Sequence, residues 1–226
     1  MNASKNFDVA RIVKAYSLRK GKKTKKFSGK KSNKSHILLL GCGGTISSGY
    51  TPTYETIVPL HPSPAIKQID YLNLFKISNI KYDRLDLLAK DSRKIAHADI
   101  IELLDLLHRV PNRKILITAG TYMLPKIAKI IALTCKDLKK SIVLTGSILP
   151  AGFVASDADA NIWSALTVLN HLEAEGLDTK FNVLLVFHGR VFSSVKEFKK
   201  LNLHPKAMRK MVIQYPLSSV PVDGVL

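Results

Sequence analysis

Only two cysteines, Cys42 and Cys135, occur in the 226 residues. They lie far apart and belong to no ligand-like cluster, which argues against a disulfide scaffold or a zinc site and for a reducing, cytoplasmic setting. Long apolar runs are missing too. "ILLL" and "VLLVF" fall far short of the roughly 18–20 residues needed to span a bilayer, and no apolar signal-peptide core stands near the N-terminus. A soluble chain with no transmembrane segment is expected. His97, His108 and His171 lack paired ligand spacing, so no metal is expected. The sequence shows no internal repeat.

Acidic residues are also scarce: 17 Asp and Glu stand against 35 Lys and Arg, a net charge of +18. The excess is uneven. Residues 1–35 carry 12 bases and a single acid, Asp8, for a net +11; the rest carries 23 bases and 16 acids, a net +7. The stretch "LRKGKKTKKFSGKKSNK" has no apolar periodicity, so residues 1–35 are expected to form a disordered basic arm. Such an arm either solubilises the chain or binds nucleic acid or an anionic surface through counterion release. Its lysine richness, rather than arginine richness, counts against an organellar transit peptide.

From His36 onward, short apolar runs alternate with amphipathic ones. "ILLLG" (37–41), "KILIT" (114–118), "SIVLT" (141–145) and "NVLLVF" (182–187) read as buried parallel strands. Between them, "HADIIELLDLLHR" (97–109), "LPKIAKIIALT" (124–134) and "DADANIWSALTVLNHLEAE" (157–175) read as helices. In the last, Ile162, Ala165, Leu166 and Leu169 are expected to face the core, Trp163 is read as core as well, and Asp157 and Asp159 as caps. Strands alternating with helices predict an α/β fold, a doubly wound parallel sheet in a single Rossmann-like domain over 36–200. Residues 201–226 read as an irregular tail. In such sheets ligands sit beyond the carboxyl ends of the strands, where "GCGGT", "AGTYM" and "GSILPAGF" fall.

"GCGGTI" matches neither the dinucleotide-binding nor the P-loop glycine pattern, so no cofactor is expected. What remains is a tightly bent backbone that exposes Thr45, either a loop or cap residue or a hydroxyl nucleophile awaiting a base. Gly120-Thr121 repeats the Gly-Thr pair after the second strand. Lys140, just before the next strand, reads either as half of a solvated Lys139-Lys140 pair or as a lysine directed toward Thr121, its pKa lowered by burial.

The order of the glycine-rich loop with Thr45, "YE" at Tyr54-Glu55, "LLAKDS" ending in Ser92, "ITAGT", "VLTGSILPAGFVASDADANIWSAL" and "GRVF" resembles that of bacterial L-asparaginases. The likeness is greatest to short, single-domain asparaginase-like proteins carrying only the N-terminal domain. It covers residues 36 to 200, and Leu144–Leu166 is its most specific part. The resemblance implies an amidohydrolase acting on a small amide or amino-acid substrate. Thr45 would be the nucleophile, Tyr54 the mobile hydroxyl that moves its proton, and Ser92 a holder of the substrate carboxylate. Thr121 and Lys140 would form a second triad with an aspartate, backbone N–H groups near the Gly120-Thr121 loop would stabilise the oxyanion, and Gly44, Gly120 and Tyr122 would line the substrate. Full-length relatives complete their site from a partner subunit, so self-association as a homo-oligomer is expected to be compatible with this chain.

One departure bears on activity. The family usually reads "THGTDTM", whereas this chain reads Thr118-Ala119-Gly120-Thr121-Tyr122-Met123-Leu124. Tyr122 thus stands for the aspartate that would bind a substrate ammonium, a contact of roughly 1.5–3 kcal/mol. Two readings follow: an amidohydrolase of altered specificity or low activity, or a catalytically degenerate domain kept for binding a small molecule or nucleic acid.

Overall fold

The structure is a computed structural model that describes residues 7–18, 34–47, 80–88, 90–151, 155–177, 182–193 and 195–200. Its centre is a six-stranded sheet: β1 (Ile37–Gly41), β2 (Tyr82–Asp86), β3 (Lys114–Thr118), β4 (Ser141–Thr145), β5 (Asn182–Phe187) and β6 (Arg190–Phe192). The spatial order is β2-β1-β3-β4-β5-β6. Every pairing is parallel except β5 with β6, a short antiparallel return at the edge. The fold is therefore α/β, with a mostly parallel sheet.

Strands β1, β3 and β4 are buried at every position, because helices cover both faces. On one face Leu38, Leu40, Ile115, Ile117, Ile142 and Leu144 meet α2 (His97–Arg109) and α3 (Leu124–Thr134). On the other, Ile37, Leu39, Leu116 and Val143 meet Ile162, Ala165, Leu166 and Leu169 of α4 (Ala158–Ala174). Alternation along each strand sends successive side chains to opposite faces, which divides one run of apolar residues between two cores. A short α5 (Val195–Lys200) follows β6.

Three expectations are corrected. The basic arm is not uniformly without structure, since Val9–Ser17 form a helix, α1. Val9, Ile12, Val13 and Tyr16 recur at helical spacing, and the Asp8 carboxylate caps the first turn by accepting from the Ala10 and Arg11 amides at 2.9 and 3.2 Å. Ile12 and Tyr16 are buried against α2 and α3. Residues 19–33 of the arm and all of 201–226 lie outside the described residues. Trp163 is not core: it is 49% exposed, on the outer side of α4. Asp157, though at the N-cap position of α4, makes no capping bond. Its carboxylate instead accepts from the Ile148 and Leu149 amides at 2.9 and 3.0 Å. It also takes an amide hydrogen of Asn161.

Strand β2 escaped the sequence reading for a physical reason. It is an edge strand whose residues are half-exposed and mostly charged, so it carries no apolar run.

Candidate functional site

Gly41, Thr118 and Thr145 are in register at the carboxyl ends of β1, β3 and β4. The chain leaves all three strands at one level, and backbone hydrogen bonds tie the outgoing loops together. The Cys42 amide donates to Thr118 O at 2.8 Å, the Ala119 amide to Thr145 O at 3.0 Å and the Gly44 amide to Lys90 O at 3.1 Å.

Glycine is required where these loops touch. Gly44 has φ +85°, and a Cβ there would lie 2.3 Å from both Cα and N of Gly120. A Cβ on Gly120 would lie 2.5 Å from the Ser92 Cβ and 2.6 Å from its Oγ. Any larger residue at either position would force the loops apart. Four of the residues expected at the site are thereby brought together: Gly44, Gly120, Ser92 and, directly after Gly44, Thr45. Thr121 follows Gly120 and completes the cluster.

Thr45 opens a single 3-10 turn, Thr45–Ser47, and is partly buried. Ser92 and Thr121 are each 7% exposed. None of the three hydroxyls bonds to another described residue, so each is available to a ligand. Gly44 contributes closeness rather than a donor, since its amide is already committed to Lys90. Cys42 offers no competing nucleophile: it is fully buried, and burial pushes its thiol up to about 12.

The rim is basic, and its acids are taken. Lys90 Nζ donates to Asp99 Oδ1 at 2.6 Å, while Asp99 Oδ2 accepts from the Ala96 amide at 2.8 Å. This pairing fastens the Ser92 loop to the start of α2. Hydrogen bonds from Arg93 lower the Asp91 carboxyl below its ordinary range. Tyr122 is 36% exposed, and the Lys126 ammonium lies 4.6 Å from its ring centroid.

Lys140 does not join the cluster. It immediately precedes β4 and therefore sits at the amino end of the sheet, about 16 Å of strand away from Thr145. Its ammonium points into the end of α2, donating to Leu107 O at 2.7 Å and to Val110 O. Burial lowers it to about 8. The depressed value expected of a base is present, but the group is at the wrong end of the sheet to serve Thr121. The reading of Lys139 and Lys140 as a solvated pair fails for Lys140 as well, because it is 8% exposed. Tyr54 lies outside the described residues.

The sequence reading also missed a clamp beside the site. Asn161 Nδ2 donates to Gly146 O at 2.9 Å, and its Oδ1 accepts from the His188 amide at 2.9 Å. With Asp157 holding the 148–149 amides, one turn of α4 fixes both the β4 and the β5 loops. The i, i+4 spacing of Asp157 and Asn161 was the available signal. His188 adopts φ +48° at that junction. No group of His, Cys, Asp and Glu among the described residues could hold a metal ion, and no described helix is long and apolar enough to cross a membrane.

Residues 36–220 match the family described as "Asparaginase, N-terminal", which carries the likeness 20 residues past its expected end at Lys200. L-asparaginase 2 of Bacillus subtilis (strain 168) is 27% identical over 176 residues, 73% of this chain and 44% of that protein. The glutaminase-asparaginase of Acinetobacter glutaminasificans is 26% identical over 201 residues, 84% of this chain and 56% of that one. Among solved structures, the thermostable L-asparaginase from Thermococcus kodakarensis superposes with a TM-score of 0.52 at 25% identity, covering 70% of this chain and 45% of that chain. A probable cytoplasmic L-asparaginase from Campylobacter jejuni gives 0.54 at 22% identity over 71% of this chain and 48% of that one, a likeness of fold. The chain spans about half the length of the relatives it matches.

Proposed function

Because the chain belongs to the asparaginase family through its N-terminal domain, we propose that it hydrolyses a small carboxamide with Thr45 as nucleophile. The observation that supports this reading is the Gly44–Gly120–Ser92 contact, which gathers Thr45, Ser92 and Thr121, whose hydroxyls bond to no other described residue, in one cluster of loops. In the proposed reaction Thr45 Oγ attacks the amide carbon, an ester bond to Thr45 forms and the C–N bond breaks. The threonine proton leaves with the nitrogen as ammonia. Water then cleaves the ester, giving a free carboxylate and restoring the hydroxyl. Tyr54 is the proposed proton carrier and Ser92 a proposed substrate contact. Thr121 would hydrogen-bond the substrate or the attacking water.

The substrate is proposed to differ from asparagine. Tyr122 carries no charge to pair with an α-ammonium, and Lys126, whose ammonium lies 4.6 Å from the Tyr122 ring centroid, would repel one. A second reading, a degenerate domain that binds without turnover, is favoured by the position of Lys140, which leaves Thr121 without that lysine. Cytoplasmic residence and self-association remain part of the proposal.

Ammonia release from L-asparagine, L-glutamine and a panel of amides lacking the amino group separates the two readings. Release by the native chain that vanishes in Thr45→Ala supports the hydrolase. Binding of the same amides without release supports the degenerate domain.

A further inference from the structure

We infer that Lys126 is a specificity-determining residue that receives a carboxylate at the far end of the substrate from the scissile amide. The preferred substrate class is then the monoamide of a short dicarboxylic acid, with no α-ammonium. This rests on the amidohydrolase reading above for the amide end, but not for the anion end.

Lys126 lies in the first turn of α3, two residues after that helix begins and five after Thr121. A cation there opposes the helix dipole, and no acid in that turn offsets it. Its ammonium makes no ion pair with any described carboxylate, whereas Lys90 and Arg93 of the Ser92 loop do. Two aromatic rings flank it instead: Tyr122 at 4.6 Å and Phe7 at 5.7 Å. A cation held between π faces keeps part of its ammonium free for an anion while its position is restrained.

Phe7 immediately precedes the Asp8 cap of α1 and is itself fixed. Its ring meets His97 edge-on at 5.3 Å, and the Asp8 amide donates to His97 Nε2 at 3.3 Å. Helix α1 lies outside the residues that match the family, so this chain supplies one wall of the Lys126 site from its own N-terminal segment. Tyr122, which directly follows Thr121 in the chain, carries the Lys126 ammonium against its ring, which sets a positive charge beside the Thr121 loop. An ammonium group on the substrate would be repelled, whereas a carboxylate would relieve the unpaired charge.

Calorimetric binding of succinate, the product such an amide would leave, tests the anion site independently of turnover. Succinate should bind the native chain, more weakly at higher salt. Lys126→Met should weaken it about tenfold, Lys126→Arg should largely retain it, and Lys129→Met, on the same helix, should leave it unchanged. In parallel, Lys126→Met should raise KM for succinamate without changing KM for the methyl ester of succinamate, which has no far-end charge. Equal succinate binding by the native chain and Lys126→Met, or no binding by either, overturns the inference. Lys126-dependent binding with no hydrolysis of any amide would refute the hydrolase reading while leaving the anion site in place.

Discussion

The buried lysine at the amino end of the sheet makes the sharpest physical test, because it separates a low pKa from a role in chemistry. In Lys140→Met the side chain keeps its length but loses its charge and the bonds to the Leu107 and Val110 carbonyls. Its folded pKa is about 8 against an ordinary 10.5, and the side chain is 8% exposed. Below pH 8 both folded and unfolded states hold the proton, and the burial penalty is fully felt. Between pH 8 and 10.5 the unfolded state binds more protons, so stability rises with pH. The total span is about 3 kcal/mol, of which about 2 kcal/mol is recovered by pH 9.5. Urea unfolding of both proteins at pH 7 and pH 9.5 isolates this one group, since all other titrations cancel in the difference. The native chain should gain about 2 kcal/mol relative to Lys140→Met over that interval. Any amide hydrolysis should keep its pH profile in the variant. A flat difference would refute the buried, depressed lysine. A collapse of turnover in a folded variant would refute its placement away from Thr121.

Other outcomes follow from the same geometry. Gly44→Ala places a Cβ 2.3 Å from the Gly120 backbone at φ +85°, so it should destabilise by about 1–3 kcal/mol and lower any turnover, read by chemical denaturation and ammonia release. Ile12→Ala should cost about 2–5 kcal/mol by the same denaturation measurement, because α1 is packed and its Ile12 is 1% exposed; a change under 0.5 kcal/mol would refute that packing. Trp163 is the sole tryptophan and is 49% exposed, so iodide should quench the native fluorescence strongly and Trp163→Ala should hardly shift Tm. Asp157→Ala leaves the Ile148 and Leu149 amides without their acceptor and should cost about 1–3 kcal/mol, detected as a lowered Tm.

Strands β1, β3, β4 and β5 and the three principal helices were legible in the sequence, since an apolar run of five or six residues between helical patterns has few other uses. So was the meeting of the Gly44, Gly120 and Gly146 loops, because parallel strands in register must release their loops on one side. Strand β2 was not legible: its pairing with β1 is made by backbone groups, and three of its five side chains are charged. Helix α1 was hidden by averaging, as its short apolar pattern, Val9, Ile12, Val13 and Tyr16, sits in an arm rich in lysine. Trp163 shows the opposite error, a large apolar residue placed outside by the rotation of α4 alone.

Sequence by itself determined the α/β class, the strand positions and the Thr45 and Thr121 candidates, because hydrophobic period and glycine placement are local properties of the chain. Only the tertiary structure decided which candidates share a site. Lys140 and Thr121 are separated by 18 residues, yet the β4 strand sets them at opposite ends of the sheet, since a strand advances about 3.3 Å per residue. Phe7 and Lys126 are separated by 118 residues, and the packing of α1 against α3 brings the ring to the ammonium. Distance along the chain carries no information about such pairs; the direction of each strand and the face of each helix do.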